Sequence, residues 1–220
     1  SAIFAPESVS DVNQFIVWEL RLPVALMAIV VGASLSIAGA EMQTILDNPL
    51  ASPYTLGVSA AAGFGAALAI VLGVGIIPLG STLLVPVNAF IFSLISSLLI
   101  YGIARFRRLT PETMVLAGIA VMFFFHSCMA VLQYLAAEEE LQAIVFWLFG
   151  SLTKATWAKL GVAALIFSIV TPLLLKNAWY LTALRLGDEK AKSLGINVEN
   201  LRLKVLVLVS VLTGAAVAFV

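Results

Sequence analysis

The sequence predicts an all-α, polytopic helical membrane protein, and three observations carry that prediction. Of 220 residues, 62% are apolar and only 11% are charged, whereas an ordinary soluble domain carries about 25% charged residues. Mean hydropathy is +1.10. The apolar residues also form continuous runs of about 20, the length a helix needs to cross about 30 Å of hydrocarbon, and not the ten-residue alternating segments of a barrel.

Six such runs are predicted as spans: Pro23 to Leu46, Thr55 to Gly73, Leu83 to Ala104, Met114 to Leu135, Trp157 to Leu175 and Val205 to Val220. Ahead of them, Ser1 to Glu19 carries Pro6, Glu7, Asp11 and Glu19 and lacks the basic start and short apolar core of a signal peptide; it reads as an extramembrane loop. Small residues crowd the first two spans, from Gly32 to Ala40 and from Gly57 to Ala66. Lipid supplies no hydrophobic drive between helices, so close backbone approach holds them together, and both spans are expected in the bundle interior. Thr110 before Pro111 and Glu112 predicts a cap and first turn for the fourth span. Between the fourth and fifth, LQAIVFWLFGSL is apolar but too short to span before Lys154 and Lys159. An interfacial helix is expected there, with Trp147 and Trp157 near the headgroups.

The stretch Leu184 to Lys204 is the long hydrophilic one. Asp188, Glu189, Lys190, Lys192, Glu199, Arg202 and Lys204 cannot all lie in hydrocarbon, so the segment is predicted to lie in water. Leu186, Ala191 and Leu194 fall roughly on one side of a short amphipathic helix bracketed by Gly187 and Gly195, a helix suited to a groove on a partner. The alternative is a solvated charged loop.

Basic residues set the orientation. Arg105, Arg107 and Arg108 follow the third span; Lys176, Arg185, Lys190, Lys192, Arg202 and Lys204 follow the fifth, so both places are predicted to be cytoplasmic. The amino-terminal segment, the Val74 to Thr82 link and the acidic Ala136 to Thr156 stretch then fall outside. An outside start without a signal peptide, and an end at Val220 within an apolar run, predict a single transmembrane domain over 1–220 that is incomplete at both ends.

Several function classes are disfavoured. Lys and Arg total 12, as do Asp and Glu, so no basic footprint for nucleic acid exists. The lone Cys128 excludes an internal disulfide and a cysteine-cluster metal site. No Gly-x-x-x-x-Gly-Lys-Ser/Thr phosphate loop occurs, so energy must come from a partner or a gradient. A secondary transporter, the alternative reading, would place Asp or Glu in mid-span; an enzyme would need a cluster that His126 and Cys128 do not supply. No catalytic residue, metal site or cofactor is expected. His126, in mid-span beside three phenylalanines, is expected to be neutral, hydrogen-bonded and packed, against the general rule that an intramembrane ionisable group is a functional candidate.

Three local patterns together resemble the FecCD family. Arg21-Leu22-Pro23 opens the first span; Ala38-Gly39-Ala40-Glu41-Met42-Gln43 leads to Asp47-Asn48-Pro49-Leu50-Ala51-Ser52-Pro53 and Leu56-Gly57; and Leu186-Gly187 runs through Ala191 to Leu194-Gly195. Phe146 to Leu152 extends the likeness. The family comprises permease subunits of ABC importers for iron-siderophores, haem and cobalamin. The resemblance implies a ten-span inner-membrane subunit, of which this chain would lack the first span and the last three. It implies a second permease subunit, two cytoplasmic ATP-binding subunits and an extracytoplasmic substrate-binding protein as partners. Leu186, Gly187, Asp188, Glu189, Ala191, Leu194 and Gly195 then look like the coupling helix seated in the ATPase, within the cytoplasmic loop 184–204.

Other positions carry two readings each. Arg21 docks the binding protein or snorkels to the headgroups; Val24 stands where the family commonly has a second arginine, so only Arg21 carries over. Glu41 and Gln43, near the inner end of the first span, line the pathway, or Glu41 merely reaches the inner interface. Gly39 belongs to the same small-residue stretch, with pathway or packing as its role. Asn48 and Pro49 open a two-proline turn whose structural role outweighs substrate contact. Asp47 stands where relatives often carry a basic or different polar residue.

Overall fold

Local capping chemistry sets most helix boundaries in the computed structural model, which describes residues 10–77, 81–106 and 109–220, the side chains of 81 and 82 excepted. Pro6, Glu7, Arg107 and Arg108 lie outside the described residues, as does part of the Val74 to Thr82 link. The elements are α1 (Asp11–Phe15), α2 (Leu22–Ile45), α3 (Val58–Leu72), α4 (Ser81–Phe106), α5 (Pro111–Leu135), α6 (Glu138–Phe149), α7 (Trp157–Leu175), α8 (Ala178–Leu184), α9 (Asp188–Ser193) and α10 (Val198–Ala218). A 3-10 turn, Leu152–Lys154, links α6 to α7. The described residues form no strand.

Five segments are long and apolar enough to cross a membrane: Asp11–Ile45, Leu83–Phe106, Pro111–Leu135, Trp157–Leu175 and Val198–Ala218. The second predicted span is a helix of 15 residues, Val58–Leu72. At 1.5 Å per residue it covers about 22 Å. It is the most enclosed of the small-residue segments, with Ala60, Ala61, Ala62, Gly63, Gly65 and Ala66 all buried.

At the amino-terminal end the expectation of a loop to Glu19 is wrong from Asp11 onward. The chain is helical there, and a π-helical turn, Ile16–Arg21, joins α1 to α2. Ile16, Val17, Trp18 and Leu20 give this stretch an apolar character that its flanking acids obscure. A proline and a tertiary hydrogen bond accompany the wide turn. Leu22 N–H reaches back to the Val17 carbonyl, Pro23 has no N–H to give, and Trp157 Nε1–H donates to the Trp18 carbonyl at 3.1 Å. That bond ties the start of α7 to the start of the first span.

The cap on the fourth span is reciprocal: Thr113 N–H donates to Thr110 Oγ1 at 3.4 Å and Thr110 N–H to Thr113 Oγ1 at 3.1 Å. α7 has the predicted limits, with Thr156 Oγ1 accepting from Lys159 N–H. The last span begins about two turns earlier than hydropathy indicates. Asn197 Oδ1 caps it through Asn200 N–H at 3.0 Å, placing Glu199, Arg202 and Lys204 in its opening turns.

α10 runs through the middle of the bundle, packed on α2, α3, α4 and α7. The main apolar cluster joins Met42 and Ile45 of α2, Ile100 of α4, Met114 and Val121 of α5, Leu174 of α7 and Val205, Leu206 and Val209 of α10. Where α10 crosses α4 the seam is small and polar. Ser97 and Ser210 share a hydroxyl hydrogen bond, and Gly214 lies against Ser93 and Phe90. Small residues allow this approach, and the hydroxyls return their bonds to the backbone. α2 is interior along one side only: Ser34 and Ala38 are buried, but Gly32, Ser36 and Ala40 are exposed, and a Cβ at Gly32 or Gly39 would meet nothing within 4 Å. The sequence expectation for this span is therefore half right, because composition shows smallness and not the direction each residue faces.

α6 lies against α3, with Ile144 buried. Trp147 packs on an alanine cluster from α3, α4 and α10.

Candidate functional site

The charged stretch meets the spans at a buried cation. Arg202, in the second turn of α10, is 1% exposed, and its guanidinium reaches three other parts of the chain. Nη1 and Nη2 donate to Asp188 Oδ2 and Oδ1 at 2.8 and 2.9 Å. Nη1 also donates to the Leu109 carbonyl at 2.8 Å and Nε to the Ile45 carbonyl at 3.1 Å. Ile45 ends α2, where helix carbonyls lack intrahelical donors; Leu109 precedes the Thr110 cap of α5. Four bonds from a planar fork suit Arg and not Lys. The prediction that Arg202 lies in water is thus overturned: a charge in the first turns of a span is accommodated by a bidentate partner and two carbonyls.

The same bonds fix the topology. The end of α2 and the starts of α5, α9 and α10 share one face, the face bearing Arg105, Lys176 and Arg185. On the opposite face the Trp157–Trp18 bond joins two helix starts, and Ser151 N–H donates to the Val220 carbonyl at 2.6 Å. The spans therefore alternate as the basic-residue count requires.

α9 itself is six residues long. Asp188 occupies its first position, where a carboxylate suits the positive end of the helix. Gly187 and Gly195 sit at φ +100° and +82°, conformations open to glycine at no steric cost. Of the three apolar residues expected on one side, Ala191 is buried while Leu186 and Leu194 are 59% and 64% exposed. The helix is too short for the 3.6-residue pattern to include them: Leu186 precedes its cap and Leu194 ends it. Glu189 pairs with Lys192 at 3.3 Å on the solvated side, where such a pair adds about 0.5 kcal/mol or less. α8 was not anticipated as a separate helix. Asn177 beneath it is buried, donates to the Leu173 carbonyl and accepts from Lys204 Nζ at 3.1 Å.

Beside this hub the carboxyl-terminal end of α2 opens into two shallow hollows. One, of about 290 Å³, is lined by Gln43, Asp47, Asn48, Pro49 and Arg185; the other, of about 170 Å³, by Glu41, Thr44, Thr182 and Arg185. Glu41 and Gln43 thus both border open space next to Arg185, whereas half-buried Gly39 lines neither hollow, and a Cβ there would meet nothing within 4 Å. Asp47, two residues past the end of α2, lies in the left-handed region at φ +45°, one of the few residue types that visits it. Asn48 Oδ1 accepts from Leu50 N–H at 2.9 Å, an Asx turn. Ser52 N–H donates to Thr55 Oγ1 and Thr55 N–H to Ser52 Oγ, extending the reversal to α3. Arg21 is exposed at the opposite face, just ahead of α2.

His126 departs from expectation. Its side chain is exposed, has no hydrogen bond among the described residues, and borders an apolar cavity of about 470 Å³ with Val31, Tyr54, Met129 and Trp147. A run of aromatic neighbours in sequence does not enclose a helix residue whose side faces outward. The described residues contain no group of three metal-ligating side chains.

This arrangement, apolar spans gathered over a short charged helix on the basic face, is that of a polytopic helical membrane protein. The chain belongs to the FecCD transport family, which it matches over residues 1–220. It is 39% identical over 216 residues to MJ0087 of Methanocaldococcus jannaschii, named as an ABC transporter permease protein, covering 95% of this chain and 62% of that one. Identity to the hemin transport system permease protein HmuU of Yersinia pestis is 37% over 211 residues, covering 96% of this chain and 63% of HmuU. For the vitamin B12 import system permease protein BtuC of Yersinia enterocolitica it is 32% over 209 residues, covering 95% and 61%. The chain therefore spans about three fifths of the length of these relatives. An inward-facing structure assigned to the metal-chelate type of ABC transporter superposes with a TM-score of 0.87 at 32% identity, over 96% of this chain and 66% of that one.

Proposed function

We propose that this chain forms the membrane-crossing part of a permease subunit in an ATP-driven importer of the inner (plasma) membrane. Its cargo is a metal chelate such as an iron-siderophore, haem or cobalamin. α9 is the element that docks into a cytoplasmic ATP-binding subunit, with Leu186, Gly187, Asp188, Glu189, Ala191, Leu194 and Gly195 as its coupling residues. One observation carries this reading: two exposed leucines flank a six-residue helix that is itself pinned to the spans through Asp188. Exposed apolar residues on the polar face of a membrane protein suit a protein groove.

In this reading the chain hydrolyses nothing, and a partner supplies the energy. Closure of paired ATPases displaces α9, and the spans exchange outward and inward openings. A second permease subunit completes the pathway, which Glu41 and Gln43 border near its inner end. A substrate-binding protein delivers cargo at the face bearing Arg21. Relatives named for hemin and vitamin B12 support the cargo class. The test is cysteine cross-linking from Ser193→Cys to the ATPase in the assembled transporter. A nucleotide-dependent cross-link is expected; labelling of Ser193→Cys from outside intact cells would overturn the orientation and the function with it.

A further inference from the structure

Taking α9 as the ATPase-docking element, we infer that Asp188 and Arg202 form a mechanical clamp. It makes α9 move as one body with the inner ends of α2, α5 and α10.

The need for a clamp follows from how little else holds α9. Both its ends are left-handed glycines, and a Cβ at Gly187 or Gly195 would meet nothing within 4 Å. Ala191 is its one buried side chain. A helix of six residues held by a methyl group between two swivels would absorb an applied displacement by rotating at the glycines. Asp188 removes that freedom. Both carboxylate oxygens bind one guanidinium, which fixes orientation as well as distance. The same guanidinium ends on two backbone carbonyls, Ile45 and Leu109, and backbone atoms cannot swing away as side chains do. Load entering at α9 thus passes through one rigid planar group to the last turn of α2 and the cap of α5. Arg202 is itself part of α10, so the central helix is driven directly. Asp188 and Arg202 are positioning residues: neither needs to touch nucleotide or cargo.

The experiment uses the full-length permease co-purified with its ATPase subunits, in a Cys128→Ser background. Nitroxide labels at Ser193→Cys and Gln43→Cys report the distance between α9 and α2 by pulsed electron resonance, without nucleotide and with ATP–vanadate. A control pair, Gln43→Cys with Leu175→Cys, reports distances between spans. With the clamp intact, the α9 pair gives one narrow distance, the same in both states. Asp188→Asn alone leaves a buried cation without its partner, so the double variant Asp188→Asn/Arg202→Met, which removes both charges, guards against misfolding. There the α9 pair is expected to about double in width, or to shift with nucleotide, while the control pair stays narrow. An α9 distance that stays narrow in the double variant overturns the clamp, and so does equal broadening of both pairs, which would mark a merely structural role. The Ser193→Cys cross-link, made on the same preparations, separates the two claims. Broadening without any cross-link keeps the clamp and sinks ATPase docking; a cross-link without broadening does the reverse.

Discussion

Gly57 abuts the backbone of Met122: a Cβ on Gly57 would lie 2.8 Å from both the Cα and the N of Met122, and Gly57 itself is at φ +76°. Two independent constraints therefore meet at the start of α3, where it leans on α5. Gly57→Ala is expected to destabilise the fold by about 3 kcal/mol, about 1 from the left-handed backbone and the rest from overpacking. Thermal unfolding of the detergent-solubilised protein should show the loss; an unchanged midpoint would mean that α3 and α5 part more easily than their packing indicates.

Asn88 holds the link after α3. It is buried, donates from Nδ2 to the Val74 carbonyl at 2.8 Å, and accepts at Oδ1 from Ile76 N–H at 3.1 Å. Asn88→Leu keeps the branched shape and removes both bonds, leaving backbone groups unpaired. A cost of about 2 kcal/mol is expected. Asn88→Asp retains the acceptor but sets a carboxylate oxygen against the Val74 carbonyl, so it should not recover the loss, and increased proteolytic nicking near Val74 would report the opened link.

Breaking the Asp188–Arg202 pair from one side should cost more than removing both partners. Asp188 is 33% exposed in its side chain and Arg202 only 2%, so Asp188→Asn strands a cation that water barely reaches. We expect about 2 to 4 kcal/mol from that change and less from the double variant with Arg202→Met. Equal losses in the two would show that the charges are better solvated than their burial indicates.

Leu194 gives the converse case. It is exposed and ends α9, so Leu194→Arg should shift stability by no more than about 0.5 kcal/mol. Association with the ATP-binding subunit should weaken by about tenfold or more, the scale of an apolar anchor at an interface. Co-purification yield across a salt series distinguishes lost apolar contact from added charge repulsion.

Arg21 lies exposed at the far face. Arg21→Glu is expected to lower affinity for the binding protein by slowing association, with the effect largest at low ionic strength. Binding that is indifferent to this reversal would leave Arg21 as a headgroup anchor.

Much of the architecture was legible because lipid imposes simple length and polarity rules. Trp157 to Leu175 is a helix with those limits, and Thr110 with Pro111 marks the start of α5, since caps and prolines act locally. Hydropathy failed where a tertiary partner changed the cost of a charge. Arg202 reads as aqueous until Asp188 and two carbonyls surround it, so the true start of α10 at Val198 was hidden. Asp11 to Arg21 was hidden in the opposite sense, its acids outweighing an apolar helical stretch. The Ser97–Ser210 seam and the Trp157–Trp18 bond join residues more than a hundred positions apart, and no local pattern marks them.

Residue order alone established that this chain crosses a membrane repeatedly, which of its faces carries the basic residues, and which family motifs it bears. Those properties depend on the solvation of single side chains and on spacing within one helix. Only the folded chain decided that the charged island is bolted to the spans, that half of the glycine-rich first span faces outward, and that His126 borders a cavity. Such outcomes depend on which helices become neighbours, because the energy of a buried ion or an open helix face is set by groups distant in sequence.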